Sequence, residues 1–144
     1  MGLTVTIEES VTLEDAKFEN TTSKTYAGVD HYERRVIPIT TTNGGQVLYT
    51  CSDGGTGGFG DFDYNKLKYV RMTNLSTGAT MYLEVLSGGQ YFYFTIRSGG
   101  SFIINNHKSF LDGGTNPYAN GFVTSVKCEA SSASDMEIFM AYED

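Results

Sequence analysis

The sequence predicts an all-β fold, an antiparallel β-sandwich of jelly-roll or Greek-key type, built as one domain over residues 1–144. Apolar and polar residues alternate with period two along most of the chain, which places every second side chain on one face of a strand. Glycine is abundant (17) and proline nearly absent (2), so tight turns are frequent and extended segments are rarely interrupted. Ser87-Gly88-Gly89 and Ser98-Gly99-Gly100 recur at hairpin spacing, and no segment keeps the 3.6-residue period of an amphipathic helix. Ten tyrosines and nine phenylalanines supply enough apolar area for a core in a chain of 144 residues.

In chain order, Leu3-Val5-Ile7 alternate with Thr4-Thr6-Glu8, as in a half-solvated strand. Residues 8–24 turn polar and acidic and read as an arm or long loop, with room for one helical turn at Val11-Leu13-Ala16. Strand signals resume over 24–29 and 31–42, where Pro38 places its strand at a sheet edge or bulge because proline cannot donate to a ladder. Asn43-Gly44-Gly45 turns the chain into a strand over 46–51. The Gly-rich stretch 52–63 reads as a mobile surface loop. Further strands are expected over 67–74, 79–86, 90–96, 101–105, 122–129 and 136–142, giving nine or ten in all. The long returns near 9–24 and 105–121 favour a Greek-key or jelly-roll sandwich over a simple meander.

Seventeen acids against ten bases give a net charge of −7. The densest basic group, Lys66, Lys68 and Arg71, lies in a segment that reads as a buried strand, so the electrostatic footprint of a nucleic-acid binder is missing. An anionic membrane surface is disfavoured on the same ground. No apolar run approaches the length of a bilayer span, and no basic-then-apolar leader opens the chain, so synthesis in the cytoplasm is expected. Cys51 and Cys128 match no metal spacing and sit in strand-like runs, which makes buried free thiols the expectation.

The motifs with chemical potential each have a plainer reading. Gly55 to Gly60 spells G-x-G-x-x-G, but no helix opens on it to face a pyrophosphate, so no cofactor is expected. Asp53, Asp61 and Asp63 are hard oxygen donors of the kind Ca²⁺ takes. The repeat such a site requires is absent, and a solvated acidic loop with no metal is the reading adopted. His31 and His107 have Asp30 and Ser109 nearby in sequence, but neighbouring strand residues point to opposite faces, and no nucleophile elbow is present. The chain is therefore expected not to be an enzyme.

The most informative segment is Tyr91-Phe92-Tyr93-Phe94-Thr95-Ile96. Alternation puts Phe92, Phe94 and Ile96 on a core face and Tyr91 and Tyr93 on the other. The tyrosine face suits a contact between subunits or a stacking platform for sugar rings, unless the sandwich covers both faces itself. Tyr91 and Tyr93 are the candidate interface residues.

Three blocks carry a resemblance: Lys66-Leu-Lys-Tyr-Val-Arg-Met-Thr-Asn74, Ile96-Arg-Ser-Gly-Gly-Ser-Phe-Ile-Ile104, and the closing hairpin Ser125 to Ala141. In this order they resemble small β-sandwich virion proteins of tailed bacteriophages of aquatic bacteria, which decorate or cement capsids or form knobs and fibres. The resemblance spans about residues 66–141 and transfers no site residues. It implies a non-enzymatic virion structural protein assembled in the host cytoplasm, most concretely a capsid decoration or cement protein. Its implied partners are the major capsid protein or another virion protein, and further copies of itself in a homo-oligomer. The alternative is a carbohydrate- or receptor-binding jelly-roll module of a phage fibre. There Tyr82, Tyr91 or Tyr93 would stack on a glycan and the Asp loop would supply polar contacts.

Overall fold

The structure is a computed structural model that describes residues 2–55, 60–107, 110–111 and 120–144. Among them are thirteen strands and no helix. The strands are β1 (Gly2–Leu13), β2 (Ala16–Ala27), β3 (His31–Ile39), β4 (Gln46–Ser52), β5 (Asp61–Asp63), β6 (Leu67–Asn74) and β7 (Met81–Ser87). They continue with β8 (Gln90–Ile96), β9 (Ser101–Ile104), β10 (Phe110–Leu111), β11 (Asn120–Gly121), β12 (Val123–Ala130) and β13 (Ser134–Tyr142).

The pairing is nested. The β7–β8 hairpin is innermost, β6 pairs with β9 outside it, β4 with β12 outside that, and β3 with β13 outermost. Cross-links β12·β7 and β13·β6 assemble these antiparallel pairs into a five-stranded sheet, β5-β4-β12-β7-β8, and a four-stranded sheet, β3-β13-β6-β9. One departure from a purely antiparallel fold is β5, which runs parallel to β4 through Thr50↔Asp61, Cys51↔Phe62 and Ser52↔Asp63.

The short strand β5 corrects the reading of 52–63 as loop throughout. Its central residue, Phe62, is buried and meets Tyr49 edge-on, so burial of one ring outweighs the poor strand propensity of the flanking glycines. Gly55 permits the close approach, since a Cβ there would lie 2.5 Å from the Phe62 carbonyl. Residues 56–59, the centre of the expected mobile loop, lie outside the described residues, as do 112–119 in the long return.

Residues 8–24 correct a second expectation in part. Of the arm or long loop expected there they form an arm, and in place of a helical turn they hold most of a long antiparallel hairpin, in register from Gly2↔Ala27 to Leu13↔Ala16. Directly opposed residues share a face. Leu3, Val5, Ile7, Val11, Leu13, Phe18 and Tyr26 fall on one face, interrupted by Glu9, Asn20, Thr22 and Lys24, and Thr4, Thr6, Ser10, Thr12, Ser23 and Thr25 fall on the other. The root of the apolar face is packed: Leu3, Val5 and Tyr26 cover Val29, Tyr69, Phe139 and Ala141 on the outer side of the four-stranded sheet. Beyond the root both strands are exposed along their length.

Alternating residues of both larger sheets enter one buried cluster. Met81, Leu83, Val85, Val126 and Cys128 come from the five-stranded sheet, and Val70, Met72, Ile104, Met136, Ile138 and Met140 from the four-stranded one. Pro38 lies on β3, an edge strand of its sheet, as its missing N–H requires. Asn74, nominally a glycosylation sequon, is fully buried and donates to the carbonyls of Ala79 and Ile96. The basic group of β6 is paired: Lys68 with Glu143 and Arg71 with Glu137, while Lys66 reaches the Asp144 carbonyl.

Met136 has no solvent exposure and sits where the two sheets' side chains meet. Met136→Ala should lower stability by about 2–5 kcal/mol, read as an earlier urea midpoint with an unchanged slope. A change within error would show that this cluster is not the core.

Candidate functional site

β8 is an edge strand of the five-stranded sheet, and its burial alternates as its sequence dictates. Ile96 is buried, Phe92 and Phe94 pack against the core, and the Phe94 and Phe102 rings lie 4.5 Å apart. Tyr91 and Tyr93 point the other way, 55% and 71% exposed. The fold therefore leaves the tyrosine face open rather than covering it.

The ladders place Tyr93 opposite Glu84 on β7, and Glu84 opposite Lys127 on β12. Lys127 Nζ lies 3.3 Å from Glu84 Oε1. Desolvation, the charge of Glu84 and a hydrogen bond to it all push the Tyr93 hydroxyl above its ordinary pKa, so it stays a neutral donor. Two residue pairs along, on the same face, Tyr82 faces Glu129 across the β7–β12 ladder. Tyr82, Tyr93, Glu84, Lys127, Glu129 and the Asn43–Gly45 turn enclose a shallow cleft of about 220 Å³. Gly45, at φ +71°, lets the turn press against β12, where a Cβ would come 3.2 Å from the Cys128 carbonyl. The result is two phenol rings, two carboxylates and one ammonium on a flat sheet face. Such a set can stack on an apolar plane and hydrogen-bond at its rim.

Sequence reasoning named Tyr82, Tyr91 and Tyr93, and the structure brings Tyr82 and Tyr93 to one cleft, with Tyr91 farther along the same face. It does not bring the acidic loop to them. β5 and β8 are the opposite edges of the sheet, so Asp61 and Asp63 lie on the far side. Asp61 accepts from Thr50 and Ser52, and Asp53 and Asp63 both accept from the Asn65 side chain. Burial tends to raise the Asp63 pKa, but the bonds from the Asn65 backbone and side chain outweigh it and hold the carboxyl below its usual range. Among the described residues no three His, Cys, Asp or Glu side chains gather as metal ligands, and no helix is long and apolar enough to cross a membrane.

The histidines part company. Asp30 precedes β3 and so, contrary to the strand-alternation expectation, reaches its neighbour: His31 Nδ1 lies 2.8 Å from Asp30 Oδ1. That bond raises the His31 pKa and lowers that of Asp30, and the imidazole stacks on Tyr142 at 5.5 Å. His31 and Tyr142 also line a cleft of about 300 Å³ with Phe62, Asp63 and Lys66, a grouping the sequence did not signal. His107 is buried, with Nε2 hydrogen-bonded to the Tyr49 hydroxyl at 3.0 Å. Burial depresses its pKa to about 3. Cys51 and Cys128 are free and buried, and burial pushes both thiols up to about 12, which suppresses the reactive thiolate. Comparison with protein families, curated proteins and solved structures finds no match for the chain.

Two outcomes follow from these buried groups. His107 is neutral in the fold but titrates near 6.5 when unfolded, so the unfolded state binds the extra proton between those values. Its contribution is intact above about pH 6.5 and is lost at roughly 1.4 kcal/mol per unit as the pH falls toward 3. Urea titrations from pH 7 to 4 should show this slope in the wild type and a shallower one in His107→Gln; parallel slopes would contradict it. A disulfide reagent should find both thiols silent in the native chain and two reactive thiols after denaturation. Fast reaction of either in the folded protein would overturn their burial.

Proposed function

We propose that this chain is a non-enzymatic virion structural protein, a capsid decoration or cement protein that docks on a phage shell through the outer face of its five-stranded sheet. The reading begins with the fold. The nested pairing, β7 with β8, β6 with β9, β4 with β12 and β3 with β13, is the path of one long antiparallel ribbon wrapped into two sheets. This pairing supports the reading as an eight-stranded jelly-roll sandwich, with β5 as a short added edge and β1–β2 as an arm. Viral coat and lectin domains use this architecture, and fold alone does not choose between them.

The observation that carries the proposal is the open tyrosine face of β8. Tyr91 and Tyr93 offer large apolar areas with few rotatable bonds, which suits interface anchors, while Phe92 and Phe94 hold the strand to the core. Net charge −7 supports the same reading, since an outer-shell protein gains by not adhering to DNA. The partner in this reading is the major capsid protein or another virion protein, and the location is the virion.

One observation favours a second reading. The cleft between Tyr82 and Tyr93, with Glu84 and Glu129 at its rim, has the composition of a sugar-stacking site, as in a receptor-binding fibre module.

Replacing both anchors, Tyr91→Ser with Tyr93→Ser, should leave a folded protein because neither ring is in the core. Added to purified shells lacking the protein, wild type should co-sediment and the double variant stay in the supernatant, at a cost of about 2–4 kcal/mol per anchor. A folded double variant that co-sediments like wild type would contradict shell docking through this face. If that variant instead loses binding on a glycan array, the second reading replaces the first.

A further inference from the structure

The β1–β2 arm carries a surface that the proposed shell contact does not use. Its apolar face has two parts, a covered root and an uncovered tip, separated by the polar pair Glu9 and Asn20. Val11, Leu13 and Phe18, clustered by the register at the distal end, are 59%, 69% and 64% exposed. Six residues of strand separate Ile7 from Leu13, so the uncovered part extends about 20 Å. A two-stranded ribbon gains little stability alone, and three large side chains in water at its tip oppose solubility unless something receives them.

The receiving surface is on the same chain. Beside the arm's root, Leu3, Val29, Tyr32 and Phe139 line an apolar groove of about 330 Å³ on the outer side of the four-stranded sheet. That sheet face already accepts an apolar ribbon, because the arm's own root packs on Tyr69, Phe139 and Ala141. Its uncovered half repeats the chemistry: Tyr32, 74% exposed, stacks on Phe139 with ring centres 6.2 Å apart, and Val36, 56% exposed, follows four residues on, beyond Arg34. An arm cannot fold back into the groove at its own base. A hairpin paired from Gly2↔Ala27 to Leu13↔Ala16 holds its tip away from its root.

Charge points the same way. The arm holds Glu8, Glu9, Glu14, Asp15 and Glu19 against Lys17 and Lys24. Next to the groove, Arg34 and Arg71 share a single carboxylate, Glu137, at 2.5 and 3.1 Å, so these three groups carry one net positive charge, while the Asp30 carboxylate that also lines the groove is hydrogen-bonded to His31. Both arginine side chains remain partly exposed.

We propose that the arm of one copy docks by its Val11, Leu13 and Phe18 face into the groove at the root of the arm of a second copy. The contact is head-to-tail, so each copy gives one arm and receives one, and copies join in a ring or a chain. The inference stands independently of the shell contact, which uses the opposite sheet.

Sedimentation velocity on the full chain tests it with two surface variants. Wild type should grow in mass with concentration. Phe18→Asp loses the plug and keeps the groove, whereas Tyr32→Asp loses the groove and keeps the plug. Each alone should sediment as a monomer with a wild-type far-UV spectrum, and an equimolar mixture should form a dimer and nothing larger. The Tyr91→Ser, Tyr93→Ser variant should assemble as wild type does. Wild type that stays monomeric at every concentration would overturn the proposal and give the arm to a different partner. So would a Phe18→Asp chain that still assembles, a mixture that stays monomeric, or loss of self-association in the tyrosine variant.

Discussion

The two larger sheets depend on a single shared core. Each is amphipathic, and their inner side chains meet in one cluster in which Val70, Met72, Met81, Val85, Val126 and Met136 have no exposure at all. Burial at about 25 cal/mol per Å² is the main favourable term in such a fold, and here neither sheet has an apolar layer of its own to bury against. Four methionines in that cluster, Met72, Met81, Met136 and Met140, give it unbranched side chains that fill irregular space between twisted sheets. The nested pairing follows from the same constraint. Only the β7–β8 turn is local, and every further pair brings together residues more distant in sequence.

The core also disposes of most groups that might otherwise do chemistry. His107 is neutral and bonded to Tyr49, both thiols are held protonated, and Asn74 spends its amide on two carbonyls. Glu137 is the one carboxylate counted as buried among the described residues, and hydrogen bonds from Arg34, then Arg71, hold its pKa below the usual range. The surfaces the proposed contacts use are the open tyrosine face on one sheet and the apolar arm over the other. Both lie on strands whose rigid alternation fixes which side chains face out.

How much of this the sequence revealed depended on how local the signal was. β6 and β8 were legible to the residue, because each has a turn at its border and an unbroken alternation. The two faces of β8 were equally legible, since period two is a property of the strand alone. That the arm is a β-hairpin was hidden because its two-residue turn is Glu14-Asp15, with Glu14 at φ +52°, a conformation normally marked by Gly or Asn. β5 was hidden because its support is a long-range parallel ladder and one buried ring, Phe62. The cleft at Tyr82 and Tyr93 depends on the register of three strands and a distant turn, and the separation of the acidic loop from it depends on strand order. Neither leaves a trace in local sequence.

Amide hydrogen exchange on the full chain, resolved by peptide, tests the shared core most directly. If the sheets bury one cluster between them, the central strands β6 and β13 of one sheet and β7 and β12 of the other open together. They should then exchange with a single free energy, equal to that of global unfolding, while residues 8–13 of the arm exchange far faster. Two distinct protection levels, one for each sheet, would contradict it.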